Sequence, residues 1–271
     1  MPADLGHLCD ALAAEAAVLD AVVAPLDDGG WTTPTPAPGW TIHDQISHLA
    51  HFDDMCVLAA TDPAAFRAGR EHALADVDGF TAEIAAQHHA LAHAELLAWW
   101  RRARAGVDAT FRSIDPSLRV PWYGPDMSTA AAVTSRIMET WAHGQDVADA
   151  RGVVRPDTVG LREVAHLGVR ALPNSFITQG LPVPSEPVRV ELTGPDGAVW
   201  TWGDPDAADV VRGSARGFCL VTTQRRHPAD TDVVATGPVA TRWLTIAQAF
   251  AGPPGTGRRP GQHAGAAGGV A

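Results

Sequence analysis

At Pro182 the spacing of apolar residues changes from the helical period to a period of two, so one chain must build two kinds of structure. Before that point the sequence predicts helices. Leu5, Leu8, Leu12, Ala16, Leu19, Val22 and Val23 recur at helical spacing over 4–26, and Pro25 with the Asp-Asp-Gly-Gly run at 27–30 ends the stretch. The prolines of TTPTPAPGW (32–40) force an extended connection. Thr41 is placed as an N-cap with Asp44 in capping-box position, and the helix it opens runs to about Ala60. A third helical region covers roughly 80–113 and stops before Asp115-Pro116; PWYGPDM (121–127) is a loop; Ser128 caps a fourth helix that runs through Ala150 and closes at Gly152. A fifth helical stretch, 157–178, bridges to the second kind of structure. There VRVEL (188–192), a GPDG turn (194–197) and AVWTW (198–202) read as a hairpin. A short strand at 231–235 and helices at about 214–224 and 238–250 follow.

These elements predict an α+β chain: a helical bundle at 1–155, a bridging helix at 156–180, a small α/β domain at 181–252, and a disordered Gly/Pro/Ala/Arg tail at 253–271.

Charge narrows the partners. Twenty Lys and Arg against 31 Asp and Glu give a net charge of −11, which argues against nucleic acid, because phosphate binding needs clustered cations. Three cysteines (Cys9, Cys56, Cys219) lie far apart without CxxC spacing, which argues against a disulfide framework or a thiolate zinc site and for a reducing compartment. The N-terminus lacks the basic and apolar regions of a signal peptide, and no apolar run approaches the ~18–20 residues of a membrane helix. A cytoplasmic protein without membrane partners is expected, as a monomer or homodimer acting on a small molecule.

The chemistry-bearing stretch is METWAHGQDVADARG (138–152). Glu139 and His143 are spaced i, i+4 and meet on one helix face, with Asp146 three residues on. A pair so spaced is either part of a metal site, completed from another helix, or a polar helix edge. His48, in GWTIHDQISHLAHFDDM with Asp44 at i−4 and His51 at i+3, is a candidate partner. His43 falls on a different, solvent-facing side, and His89 and His93 form a rival pair read as a solvated face. His7 and His72 read as surface residues and His166, in VAHLGV, as a packing histidine. The chain has no GxSxG, GxGxxG or Walker-type loop, so serine hydrolysis, nucleotide binding and phosphoryl transfer lose ground.

APGWTIHDQISHLA followed by METWAHGQDVADA resembles the DinB-like superfamily and, within it, the mycothiol-dependent maleylpyruvate isomerase group, nearest to an actinobacterial subfamily described as metal-binding. The run VELTGPDGAVWTWG with VRGSARGFCLVTTQRRH resembles the smaller C-terminal domain of those proteins. The resemblance extends to about residue 255 and implies a DinB-like four-helix bundle with His48, Glu139 and His143 as ligands of a divalent metal. Zinc is the usual metal, though nickel, iron and manganese accept the same ligand types. Asp146 is then expected to orient His143 or a bound water. The resemblance also implies a basic residue near the site, which Arg225 or Arg226 would supply by holding a carboxylate; at a helix end the pair equally complements the helix dipole. Trp122 and Tyr123 are expected at the pocket mouth, and Trp40 and Trp141 as packing near the metal helices.

The implied chemistry is a thiolate of mycothiol adding to an electrophilic carbon. It then leaves after rotation about the bond in an isomerase, or stays in a transferase. Two alternatives remain at this level, a metal-dependent hydrolase or lyase and a non-catalytic binding protein.

Overall fold

Several helices here start where a side chain takes up unpaired N–H groups of the first turn. The Thr41 hydroxyl accepts from the Asp44 N–H, while the Asp44 carboxylate accepts from the Thr41 N–H at 2.8 Å, a complete capping box. Asp4 and Ser128 cap two further helices with one side-chain acceptor each, and Gly152, at φ +62°, ends the second of these in the left-handed conformation that glycine adopts freely. The computed structural model describes residues 4–75 and 77–262. The N-terminal elements are α1 (Leu5–Val23), α2 (Asp28–Trp31), α3 (Ile42–Thr61), α4 (Pro63–Ala75), α5 (Val77–His88), α6 (His93–Ser113), β1 (Arg119–Val120), β2 (Met127–Ser128) and α7 (Thr129–Arg151). The C-terminal elements are α8 (Leu161–Arg170), α9 (Leu172–Thr178), β3 (Val188–Thr193), β4 (Val199–Trp202), β5 (Asp209–Ser214), α10 (Ala215–Thr222), β6 (Val234–Thr236) and α11 (Pro238–Ile246).

The chain divides into two compact units, residues 1–160 and 161–271. In the first, α3 packs on α6 and α7, and α1 packs on α6 and α7, which closes a four-helix bundle. Its core joins Leu19 and Val23 of α1, Ile42, Ile46 and Leu49 of α3, Leu96 and Trp100 of α6, and Val147 of α7. Each fully buried aliphatic side chain there contributes about 1.5–3 kcal/mol.

A charged group sits inside this apolar frame. Asp53 of α3 is fully buried; its Oδ1 accepts from Arg136 Nε of α7 at 2.8 Å, and its Oδ2 lies 2.7 Å from Arg104 Nη2 of α6. Arg104 also donates to Thr140 Oγ1 at 2.8 Å, and Thr140 donates to the Arg136 carbonyl. One carboxylate thereby ties three bundle helices together.

The second unit carries a four-stranded mixed sheet in the order β4-β3-β5-β6. The expected hairpin is β3 and β4, antiparallel, with Val190 opposite Trp202. β5 runs parallel to β3, and β6 antiparallel to β5. Helix α10 packs on α8 and the sheet, and α11 on α9, β5 and β6.

Four differences from the sequence reading have physical causes. The region expected as one helix over 80–113 is α5 and α6, broken at 89–92 without Pro or Gly. The Leu91 carbonyl there accepts from the His43 ring at 3.2 Å, so a tertiary contact overrides local propensity. Helix α4 is an addition: Asp62 accepts from the Ala65 N–H at 3.0 Å, and Pro63 fits the first helical position. The bridging stretch is two helices, α8 and α9, with Pro173 in the first turn of α9. Strand β5 is an addition: it follows the turn at Gly203-Asp204-Pro205 and passes directly into α10 at Ser214. Residues 253–262 form neither helix nor strand, yet the Gly261 N–H donates to the Asp230 carboxylate at 2.8 Å. The side chain of His72, expected at the surface, and residues 263–271 of the expected disordered tail lie outside the described residues.

Removing Asp53 strands two buried guanidinium groups. Asp53→Ala is expected to cost about 3–5 kcal/mol, read as the loss of unfolding free energy in urea.

Candidate metal centre

Glu139 and His143 lie one turn apart on α7, and His48 faces them from α3. His143 Nε2 stands 3.1 Å from Glu139 Oε2, and His48 Nε2 stands 3.7 Å from the same oxygen. One donor atom from each of the three residues lies within 4.8 Å of the others. The imidazole rings are 4.4 Å apart between centroids, and the side chains of His48, Glu139 and His143 are 14%, 22% and 12% exposed. Three N/O donors from two rigid helices thus converge with part of their surface open to solvent, as an open divalent site requires.

Burial, with the neighbouring His143 adding, pushes His48 down to about 3, which leaves its ring neutral as a metal ligand must be. Burial alone would raise the Glu139 carboxyl. Hydrogen bonds and positive charge from His143 and His48 overcome that and hold it well below the usual carboxylate range. Burial would likewise weaken the charge on Arg136, three residues before Glu139, but Asp53 and then Glu139 keep it charged. The core ion group and the site therefore share one electrostatic neighbourhood.

The donor set fits a cation. His143 Nδ1 bonds to the Gln45 side-chain oxygen, which has no proton to give, so the ring nitrogen is the donor. Without a proton on Nε2, the His143 ring would meet the ionised Glu139 carboxylate acceptor against acceptor. Only a cation between them, a proton or a metal ion, makes that contact attractive. His48 Nδ1 is buried with no hydrogen-bond partner among the described residues, unlike the usual ligand histidine, whose second nitrogen is tied to a neighbour.

Around the donors stand aromatic rings. Trp40 lies 5.9 Å from His143, nearly parallel at 21°, and 5.3 Å from His48. Phe52 packs 4.6 Å from His48 and meets Tyr123 at 5.7 Å and Trp122 at 6.3 Å, so the two loop aromatics reach the site through Phe52. Trp122 stacks on Phe66 at 5.8 Å, and Arg67 holds the loop by pairing with Asp126 at 2.9 Å. Trp141 is buried on α7, with the Arg155 guanidinium over its ring.

Asp146 is fully buried on α7 and is not part of the three-donor group. Arg225 and Arg226 belong to the second unit, just past α10, where Arg225 donates to the Thr223 carbonyl at 2.7 Å and Arg226 to the Arg225 carbonyl at 2.8 Å. His43 is buried rather than solvent-facing, because its ring bonds Leu91 across the interface of α3 with the 89–92 break. His89 and His93 do not share a helix: His93 begins α6, where it bonds Asp28 and stacks on Trp31. His166 is exposed and accepts from Trp202 Nε1 at 3.2 Å, because α8 turns that face outward. Gln45 and Phe52 escaped the sequence reading. Gln45 had a signal, since it lies three residues before His48 and so shares its helix face.

Residues 12–148 match the family model described as the mycothiol maleylpyruvate isomerase N-terminal domain, and residues 184–236 match one described as wyosine base formation. Uncharacterized proteins of two Mycobacterium tuberculosis strains are each 50% identical over 256 residues, covering 94% of this chain and 100% of their own. The crystal structure of the mycothiol-dependent maleylpyruvate isomerase aligns with a TM-score of 0.57 at 18% identity, over 86% of this chain and 93% of that one. A histidine-to-alanine mutant of that isomerase aligns equally well at 16% identity. At these identities the structural likeness establishes the fold.

The chain's own thiols are poor nucleophiles in this fold. All three cysteines are buried, and burial pushes Cys56 up to about 12 and raises Cys9. Since the thiolate is the reacting form, the folded protein is expected to leave its three thiols unmodified by an aromatic disulfide reagent, and to expose all of them in denaturant.

Proposed function

The chain belongs to the mycothiol maleylpyruvate isomerase family, and we propose that it is a divalent-metal-dependent enzyme that uses a small thiol, mycothiol, to isomerise or conjugate a small electrophile. The observation that carries the reading is the convergence of His48, Glu139 and His143, from two helices, within 4.8 Å. These three residues would hold the metal, with zinc best suited to two imidazoles and one carboxylate. A divalent cation there supplies a lowered pKa to a thiol or water, so that a nucleophile exists at neutral pH.

The chain's own residues do the rest. Glu139 contributes the negative charge among the ligands, and Arg136 beside it favours the ionised form. Trp40 covers one side of the two imidazoles, and Phe52 covers His48 from another, which limits water at the site. Trp122 and Tyr123, carried on the loop against Phe52, would face an incoming small molecule. The buried protein thiols leave the nucleophilic sulfur to the co-substrate, and three free cysteines suit a reducing cytoplasm. Among the described residues no helix is long and apolar enough to cross a membrane.

Elemental analysis tests the assignment. Purified protein is expected to carry about one divalent ion per chain, and His48→Ala and His143→Ala to lose most of it. Full occupancy in either variant would sink the ligand set. Conversion of a conjugated electrophile that depends on added mycothiol supports the thiol reading, and turnover unaffected by mycothiol rejects it.

A further inference from the structure

The proline-rich segment ahead of α3 folds back on itself. Gly39, at φ +81°, makes a turn in which the Thr35 N–H and hydroxyl both donate to the Trp40 carbonyl, at 2.7 and 2.9 Å, and Pro34 pairs with Thr41. The same Thr35 oxygen accepts from Gln45 Nε2 at 2.9 Å. Gln45 is fully buried, and its side-chain oxygen meets His143 Nδ1.

The direction of this chain of hydrogen bonds follows from its end. A backbone carbonyl has no proton to give, so the single hydroxyl proton of Thr35 goes to Trp40 and its oxygen is left to accept. Gln45 therefore turns its NH₂ toward Thr35 and its oxygen toward His143. Only a His143 ring with a proton on Nδ1 satisfies that oxygen, and among the two neutral tautomers that is the one with Nε2 free on the side of Glu139 and His48. Turning the amide over would remove one donor from the Trp40 carbonyl. It would also call for the proton on Nε2, the position a metal needs.

We propose that Thr35 and Gln45 are positioning residues that set the tautomer of His143, with the Trp40 turn as their anchor, so that Nε2 is presented as a metal ligand. The inference rests on the metal reading above and adds residues to it. The turn acts twice, since the Trp40 ring also stacks on His143 and restrains its plane. Water cannot replace Gln45 readily, because the amide is out of solvent contact. The role is that of the outer partner that orients a ligand histidine.

The test is zinc affinity of the full-length chain by competition with a chromogenic chelator, alongside thermal midpoints of the zinc-free proteins. Gln45→Leu is expected to weaken zinc binding about 10- to 100-fold. Gln45→Glu, whose carboxylate accepts the same N–H, is expected to stay within about threefold of the parent. Thr35→Val, which frees the amide, is expected to lose about two- to tenfold with an unchanged midpoint. A second readout reports the proton itself: in zinc-loaded protein labelled with ¹⁵N-histidine, the Nδ1 proton of His143 exchanges slowly in the parent and in Gln45→Glu, but not in Gln45→Leu.

A parent chain that takes up no zinc overturns the metal reading and the relay with it. A parent that binds zinc while Gln45→Leu binds as tightly and keeps the slow proton overturns the relay alone. Should Gln45→Leu fail to fold, Thr35→Val decides, and affinity equal to the parent's overturns the relay.

Discussion

A carboxylate with an arginine on each oxygen holds this bundle in register. Asp53 reaches Arg136 on α7 and Arg104 on α6, all three out of solvent, so α3, α6 and α7 cannot slide without stranding a charge. That constraint reaches the site directly. Arg136 is one turn before Glu139 on α7, and Asp53 is just over one turn beyond His48 on α3. The pairing that locks the two helices therefore also sets the height at which His48 meets Glu139 and His143. Charge is coupled as well. Of the two buried arginines, Arg136 lies in the field of both Asp53 and Glu139, so the core ion group and the three-donor group are electrostatically linked.

Much of this was legible in residue order. The capping box at Thr41 and Asp44, the Ser128 cap and the Gly152 stop depend on neighbours in sequence, and they bound α3 and α7 where the pattern places them. The i, i+4 spacing of Glu139 and His143 is set by helix geometry alone, so half of the site could be read without a fold. The partnership of His48 with them is a tertiary fact. Spacing offered several histidines, and resemblance singled out the one that the packing of α3 on α7 brings to Glu139.

What could not be read depends on groups that every residue shares. The break between α5 and α6 coincides with a backbone carbonyl, that of Leu91, bonded by a histidine 48 positions earlier, and no residue type marks it. The orientation of Gln45 likewise depends on the Trp40 carbonyl, and the segment supplying it looked like a stiff connection because its prolines are its visible feature. His43 and His166 were misplaced for the related reason that one histidine on a helix does not announce which neighbour its face will meet.

The contrast between the two charged groups of the bundle says where function lies. At Asp53 each oxygen faces a guanidinium, and a stable fold asks nothing more of that carboxylate. Less than two turns away, Glu139 on α7 faces two imidazole nitrogens; Gln45 holds a proton on the far nitrogen of one ring, and the other ring keeps a buried nitrogen with no hydrogen-bond partner among the described residues. Folding alone gains nothing from setting acceptor against acceptor, and sequences are locally consistent except where function asks otherwise. The same helices that satisfy one carboxylate with arginines hold another against bases, and the turn at Trp40 enforces that arrangement. That contrast is what supports the proposed metal reading, and the rigidity that holds the three donors in place comes from Asp53.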